Sequence, residues 1–446
     1  MGLPSHRKRA SPGRDGPAMS LTILLVLVVI FSFGFGHLLT RYVSRYIALS
    51  GAEYLLVGVL IGPQVPPRLM TAESLTRLEP FIALLLGLVG FVVALHTRDV
   101  FRNVRNGLAG LMSAILVLVT VAGAMLFLAD RLLPPTPEAL TFHWEVVRTS
   151  QHALVFRLTT SHVWMALALG AAACVASPFV IESAAKMLKA QGPVTDLLRG
   201  AATLSQVLAV VVVGVAVATA RSADTATGVG LSVGMALATA AVVGVVCGLL
   251  FTLFIGQEKD AVRIFLATAG AVIFASGVGT ALGLSPLFVN LVAGVTVALT
   301  SRHAQRLRDE LDRLQHPLFV LVMIFAGALW SPVSGWVWLF PITYFVVRYV
   351  ARRAFTRASV RILAPTQVLS TRIGKGLLAQ GTMAVAVGVD FSQRFPHYAS
   401  AVLTTVLIGT LVSDLWSARA LRAVLLDAGE SSDEAIPAST RRAPSP

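Results

Sequence analysis

The chain has 446 residues, of which 56% are hydrophobic and only 13% are charged. Soluble domains average ~45–50% apolar and ~25% charged residues, so this composition excludes a soluble fold. The formal net charge is +14, but the basic residues lie in short connections between apolar runs and form no single patch, which excludes nucleic acid as a partner. Apolar runs of ~17–25 residues recur along the sequence, and each is long enough to cross a lipid bilayer. The composition therefore indicates a polytopic membrane protein.

The two ends of the chain are polar, and we expect a transmembrane domain over residues 20–427 between them. Residues 1–19 and 428–446 are predicted to be disordered tails. The apolar run after the first tail is too long for a cleavable signal peptide. Because Met19 directly precedes that run, Met1 and Met19 both remain candidate starts.

Thirteen transmembrane helices are predicted, so the termini should face opposite sides. Their approximate ranges are 20–39, 46–64, 78–96, 107–129, 162–187, 200–220, 228–255, 262–282, 285–300, 316–331, 335–354, 369–389 and 398–423. The connections on one side carry 23 lysines and arginines, and those on the other side carry 11. Because cytoplasmic loops are enriched in basic residues, this bias predicts a cell-membrane protein with its N-terminus outside and its C-terminus in the cytoplasm.

Two of the predicted spans contain helix breakers near their midpoints. In span five, Pro178 lacks an amide donor and disfavours helix at Ser177. Span twelve carries Gln380, Gly381 and Thr382 at its centre. The breaks are seven spans apart, so the two segments cross the membrane in opposite directions, which is the pattern of an inverted-topology repeat. The alternative is that both are ordinary kinks of membrane helices.

Three segments resemble one transporter family. GAEYLLVGVLIGP, residues 51–63, resembles the second span of the cation/proton antiporter superfamily. GLSPLFVNLVAGVTVAL, residues 283–299, resembles its ninth span, and GKGLLAQGTMAVAV, residues 374–387, resembles its twelfth. Their order and spacing, together with the two broken spans, extend the resemblance to the sodium/proton exchanger membrane domain over residues 20–423.

The resemblance implies an all-α membrane fold of about 13 helices, with inverted repeats and two discontinuous crossed helices. It also implies a core bundle that carries the crossed helices and moves against a panel, and a homodimer formed through the panel. The expected partners are the lipid bilayer, monovalent cations such as Na⁺ or K⁺, and protons. Half-helix ends that meet at mid-membrane would supply opposed partial charges at the ion site.

The family places an acidic pair on span six, about 27 residues after the first break. Here Ser205 and Gln206 occupy those positions, and neither side chain titrates near neutrality. The departure puts proton coupling at the usual site in doubt. The candidate residues of the ion or substrate site are Ser177, Pro178, Ser205, Gln206, Arg348, Gln380, Gly381 and Thr382.

Arg348 in span eleven lies where the family commonly has a basic residue that balances the core carboxylates. A charged side chain at that depth normally faces the interior of the bundle. The alternative is that Arg348 reaches the cytoplasmic interface beside Arg352 and Arg353, about one turn away.

Replacement carboxylates are few. Asp414 in span thirteen is nearly symmetric to span six in the other repeat, and the alternative to a role at the site is pairing with Arg419. Glu182 follows the first break by about one turn, and it either faces the cavity or pairs with Lys186 at i+4.

Other polar residues in or near the spans are assigned to the membrane interface. Asp390 is expected there beside Arg394, and His37, His96 and His316 near the ends of spans.

Three functions remain open from the sequence. The first is a monovalent cation/proton antiporter, the second an anion or neutral-solute carrier on the same fold, and the third a sensor or scaffold that has lost the ion site. An enzyme is not expected, because no nucleophile elbow, metal-binding pair or phosphate loop is found. Cys174 and Cys247 both fall inside spans, so neither a disulfide framework nor a metal site is predicted, and no cofactor is expected.

Overall fold

A computed structural model describes residues 51–65, 70–100, 104–134, 142–145, 157–160, 162–223, 233–255, 260–302, 304–363 and 373–430. The first predicted span and the choice between Met1 and Met19 lie outside these residues, as do 1–19 and 431–446 of the two predicted tails.

Most of the described residues are helical. The α-helices, numbered in chain order, are α1 Ala52–Ile61, α2 Ala72–Arg77, α3 Glu79–Leu95, α4 Thr97–Val100, α5 Val104–Leu132, α6 Val163–Cys174, α7 Pro178–Met187, α8 Pro193–Ala223, α9 Val233–Ile255, α10 Ala261–Ala281, α11 Pro286–Thr300, α12 Ala304–Asp312, α13 Gln315–Leu329, α14 Leu339–Leu363, α15 Gly381–Arg394 and α16 Pro396–Asp427. Short 3₁₀ helices occupy Gly335–Trp338 and Ile373–Leu377. Each predicted span from the second to the thirteenth overlaps at least one of these helices.

Length and hydropathy alone identify fewer spans than the sequence pattern does. Among the described residues, the helical segments that are long and apolar enough to cross a membrane are Gly107–Leu132, Val163–Met187, Pro193–Thr219, Val233–Phe254 and Pro396–Asp427. Helices α12 and α13 form a sixth if they are counted as one span, since they are bent by 55° at their junction. A multi-pass membrane protein follows directly, whereas the total of thirteen stays a prediction.

The long connection before α6 carries a small sheet that was not among the predicted elements. Strands β1, Phe142–Glu145, and β2, Arg157–Thr160, pair antiparallel, with Phe142 opposite Thr160.

The helices pack into two bundles. In the first, which we call the panel, α3 packs on α10 and α11, α11 on α9, and α13 on α1. In the second, the core, α5 packs on α6, α8 and α14, and α15 packs on α16. The bundles meet where α13 contacts α15 and where α8 contacts α9 and α11. This is the two-bundle arrangement that the resemblance implies.

Small residues let the panel helices approach closely. A Cβ added at Gly58 of α1 would meet the backbone carbonyl of Ile324, and it would lie 3.0 Å from the Cα of Gly327 in α13. A Cβ at Gly90 of α3 would collide with the carbonyl of Leu287 in α11. Membrane helices gain most of their association from such close packing, because lipid supplies no hydrophobic drive between them.

Candidate functional site

Two broken segments cross inside the core. Helix α6 ends at Cys174 and α7 begins at Pro178, with Ser177 as its N-cap in extended conformation. In the other repeat, the 3₁₀ helix ends at Leu377 and α15 begins at Gly381. The amide of Ser177 donates to the carbonyl of Ala379 over 2.8 Å, so the two breaks are joined directly.

Gly381 is required at this crossing for two reasons. Its φ is +62°, a left-handed conformation that residues with a Cβ rarely adopt. A Cβ at this position would also lie 2.8 Å from the Oγ of Ser177. The sequence therefore permits the two breaks to approach only because residue 381 has no side chain.

Arg348 satisfies carbonyl groups at the C-terminal ends of the half-helices that precede the two breaks. Its Nε donates to the carbonyl of Ala173 over 2.9 Å and its NH2 to that of Val175 over 3.0 Å. Its NH1 donates to the carbonyl of Leu378 over 3.0 Å. The last carbonyls of a helix have no partner within the helix and carry partial negative charge, so a guanidinium suits this place. Arg348 is fully buried, and the interpretation that it reaches the membrane interface is wrong.

Arg352 lies one turn further along α14 and serves the same helix end. It is 1% exposed, and its NH2 donates to the carbonyl of Cys174. Arg352 was expected at the interface. Its spacing of four residues from Arg348 was a signal that both point to one side of α14, and burial of the two arginines together was not foreseen.

Asp414 lies at the N-terminal end of α15, the half-helix that follows the second break. Its Oδ1 accepts the backbone N–H of Gln380 over 2.8 Å, and the residue is 5% exposed. The predicted alternative, pairing with Arg419 near the interface, is not what the structure shows. The side chain of Gln380 donates to the carbonyl of Ala172 over 2.8 Å and to the hydroxyl of Tyr344 over 2.7 Å. Tyr344 was not among the predicted site residues.

Ser205 has a structural partner in the first break. The amide of Ala176 donates to its Oγ over 3.0 Å, and that hydroxyl donates to the carbonyl of Ala202 over 2.7 Å. Ser205 therefore supports the extended chain between α6 and α7. This contact also places Ser205 beside the crossing, which is the position that the proposed alignment with the family's acidic pair requires.

A cavity of about 110 Å³ lies between core and panel, with the crossing at its base. Ser177, Gln206, Thr382 and Asp414 supply polar side chains to its lining, along with Pro178 and Gly381. Since a water molecule needs roughly 10–15 Å³ of such space, the cavity has room for several waters or a partly hydrated ion. Arg348, Ser205 and Gln380 are not among its lining residues, so the predicted site residues divide into those that face the cavity and those that support its base.

The cavity extends toward the side on which the basic loops lie, since its lining includes His96 and Gln315 at helix ends next to those loops. Glu182 also lines it, and one of its oxygens is 3.8 Å from Arg308 of α12. Among the described residues Glu182 thus pairs with Arg308; the predicted pairing with Lys186 is not found.

Two histidines predicted to be interfacial also line the cavity. His96 is 8% exposed, and its Nε2 lies 3.2 Å from Asp312. His316 lines the panel wall and contacts the ring of Tyr54 edge-on, with 6.3 Å between the ring centroids. His37 lies outside the described residues.

The comparison with protein families agrees with this geometry. The model of the family described as sodium/hydrogen exchanger, transmembrane, matches residues 54–422. The chain belongs to the sodium/hydrogen exchanger family. This exchanger also resembles in fold the sodium proton antiporter MjNhaP1 from Methanocaldococcus jannaschii, with a TM-score of 0.59 and 14% identity, over 92% of this chain and 99% of that chain. A search of curated proteins gives no match. The predicted family and the predicted antiporter-like membrane fold with crossed broken helices are confirmed.

Proposed function

We propose that this exchanger moves a monovalent cation, Na⁺ or K⁺, against a proton, and that Asp414 binds the two in turn. The observation that carries the proposal is the position of Asp414, whose carboxyl group lines the base of the cavity at the crossing. The usual acidic pair is replaced by Ser205 and Gln206, so the second repeat supplies the carboxylate instead.

The surroundings of Asp414 suit competition between a proton and a cation. Its Oδ1 accepts the backbone N–H of Gln380 over 2.8 Å, and the residue is buried at the base of the cavity. A cation that enters the cavity would reach the same carboxyl group that a proton occupies in its absence.

Neutral oxygen ligands complete the proposed cation site. Gln206, Ser177 and Thr382 line the same cavity as Asp414 and carry an amide or hydroxyl oxygen each. Oxygen atoms are the ligands that hard cations prefer. Several waters fit beside them, so the ion need not lose its whole hydration shell.

The position of Arg348 argues against an anion carrier on the same fold. Its Nε, NH1 and NH2 all donate to backbone carbonyls, and it does not line the cavity. An anion in the cavity would meet the carboxyl group of Asp414 and no free guanidinium. We therefore assign Arg348 to the support of the crossing.

Transport would follow from movement of the core against the panel across the cell membrane. We propose residues 20–427 as the transmembrane domain, a homodimer through the panel, an outward N-terminus and a cytoplasmic C-terminus. The cavity would then face the cytoplasm in the present conformation, because its lining extends to the helix ends beside the basic loops.

The test uses purified protein in liposomes that contain a pH-sensitive dye and an acidic interior. Addition of Na⁺, K⁺ or Li⁺ outside should raise the internal pH for at least one cation. Asp414→Asn should abolish this signal, because an amide binds neither a proton nor a cation in exchange. Asp427→Asn, at an exposed position of the same helix, should keep it.

The possible results separate the three functions. Exchange that persists in Asp414→Asn would place the coupling carboxylate elsewhere. No proton movement with any cation, in protein that remains folded and monodisperse, would favour the sensor or scaffold. Uptake of a labelled anion or neutral solute by the unmodified protein would favour the carrier.

A further inference from the structure

On the side opposite the cavity, a buried carboxyl group of the core is bonded to a hydroxyl group of the panel. We propose that Asp390 of α15 and Ser285 at the start of α11 form a latch, which closes this side and must open whenever the site changes sides. The proposal rests on the exchange function given above. It concerns residues that the cation site does not use.

The contact is short and enclosed. The Oγ of Ser285 donates to the Oδ2 of Asp390 over 2.6 Å, within the range of hydrogen bonds from hydroxyl groups to carboxylates. Asp390 is 1% exposed and Ser285 is 3% exposed. The predicted placement of Asp390 at the interface beside Arg394 is therefore wrong, because α15 presents this side chain to the panel.

Ser285 is held in one orientation by its own helix. It is the N-cap of α11, and its Oγ accepts the N–H of Phe288 over 3.1 Å. The hydroxyl hydrogen is thus left to point at Asp390. The N-terminus of a helix carries partial positive charge, which adds to the attraction for a carboxyl group.

The position of the pair along the membrane places it at the closed side. Asp390 follows Gly381 by nine residues, which is about 13 Å along a helix that starts at the crossing. Helix α7, which lines the cavity, runs from the crossing in the opposite direction. The latch and the cavity therefore lie on opposite sides of the ion site.

Two more hydrogen bonds join core and panel on the same side. The Nε1 of Trp330, at the end of α13, donates to the Oγ1 of Thr404 in α16 over 2.9 Å. The hydroxyl groups of Ser331 and Ser400 lie 2.6 Å apart. On the cavity side, Glu182 of the core and Arg308 of α12 are farther apart, at 3.8 Å. Among the described residues, three hydrogen bonds thus join core and panel on the side opposite the cavity.

A carboxyl group is suited to a contact that has to open repeatedly. When the core moves, water can enter between α11 and α15 and solvate Asp390, so the group is satisfied in both conformations. A pair of apolar side chains would be favourable only in the closed contact, because opening would expose both to water. A contact that never opened would not need a side chain that water can solvate.

A disulfide tests whether the contact must open. Ser285→Cys and Asp390→Cys are combined in the full chain, in which Cys174 and Cys247 are replaced by alanine. Oxidation should cross-link the pair and reduce exchange at least tenfold, and a reductant should restore it. The oxidant should not change the exchange rate of either single cysteine variant. Full exchange with the disulfide formed would overturn the proposal, and failure to cross-link would contradict the contact itself.

A second measurement does not depend on transport. Thr382→Cys is introduced at the base of the cavity, and its labelling by a membrane-impermeant maleimide is followed from the side opposite the cavity. Ser285→Ala should raise the labelling rate several-fold, since the closed state loses its latch. Ser392→Ala should leave it unchanged, because that hydroxyl donates to the carbonyl of Gly388 within α15. Because labelling needs no ion gradient, an unchanged rate in Ser285→Ala would reject the latch whether or not exchange is observed.

Discussion

The two breaks of the core use the same geometry with different chemistry. In the first repeat, the free amide of Ala176 is accepted by the hydroxyl of Ser205, from α8. In the second, the free amide of Gln380 is accepted by the carboxyl group of Asp414, from α16. Both acceptors come from the helix that follows the broken span, as expected for repeats of one structural unit. One repeat has a neutral acceptor and the other has an acid.

The difference shows how an exchanger can keep its fold after losing the usual acidic pair. The backbone of a broken span needs an acceptor wherever lipid excludes water, but a hydroxyl satisfies this need as well as a carboxylate does. In the proposed function only the ion site needs an acid, and we propose that the symmetry-related Asp414 provides it. The predictions below test this division between support and ion binding.

Arg348→Ala should have the largest effect, since Arg348 supports both breaks. The change leaves the carbonyls of Ala173, Val175 and Leu378 without this donor and removes a buried charge. We expect a loss of about 3–5 kcal/mol of stability, seen as a much lower unfolding temperature in detergent. Arg348→Lys should be intermediate, because an ammonium keeps the charge but not the planar fork of donors. Exposed Arg361 of the same helix is the control; equal losses in Arg348→Ala and Arg361→Ala would contradict the supporting role.

Gln206→Asp should change the charge that is moved per cycle. With one carboxylate, one cation moves in one direction and one proton moves in the other, so no net charge crosses the membrane. Na⁺-driven exchange should therefore be insensitive to an imposed membrane potential. A second acid in the same cavity lets the two directions carry unequal charge, and a potential-dependent rate should appear. Gln206→Asn is the neutral control. A wild-type rate that already depends on potential would mean that a second titrating group takes part.

Much of the fold could be predicted because the membrane restricts the possible structures. Apolar runs define spans, and Pro178 and Gly381 mark the breaks, since backbone groups freed in lipid must find partners inside the protein. The small sheet of β1 and β2 was missed, because it lies in a polar connection where the hydrophobic pattern gives no guidance.

The site was harder to predict, because its contacts join residues far apart in the chain. Asp414 and Gln380 are 34 positions apart, and Asp390 and Ser285 are 105 apart. Sequence position alone left Arg348, Asp414 and Glu182 each with an interfacial alternative. For Asp390, the nearby Arg394 suggested an interface, and the side of α15 that faces the panel was not considered.

Ser205→Ala should lower stability while exchange is retained. The change leaves the amide of Ala176 without its acceptor, which costs about 1–3 kcal/mol for a buried group. The measurement is the unfolding temperature in detergent, with exchange assayed well below it. Thr203→Ala is the matched control, because that hydroxyl donates to the carbonyl of Arg199 within α8. Loss of exchange without loss of stability would assign Ser205 to the ion site and break the comparison.

Glu430→Gln should have the smallest effect. Glu430 forms a contact between the two repeats. Its carboxylate accepts the amides of Val194, at 2.6 Å, and Thr195, at 2.9 Å, and so caps α8 from the chain that follows α16. Removing one charge from a helix N-terminus at a half-buried position should cost about 1 kcal/mol. Amide hydrogen exchange in the first turn of α8 should become faster, while cation/proton exchange keeps its rate. Asp427→Asn, exposed at the end of α16, should leave the protection of that turn unchanged. If Glu430→Gln also left it unchanged, the cap would not restrain α8, and the helices that carry Ser205 and Asp414 would be held together by packing alone.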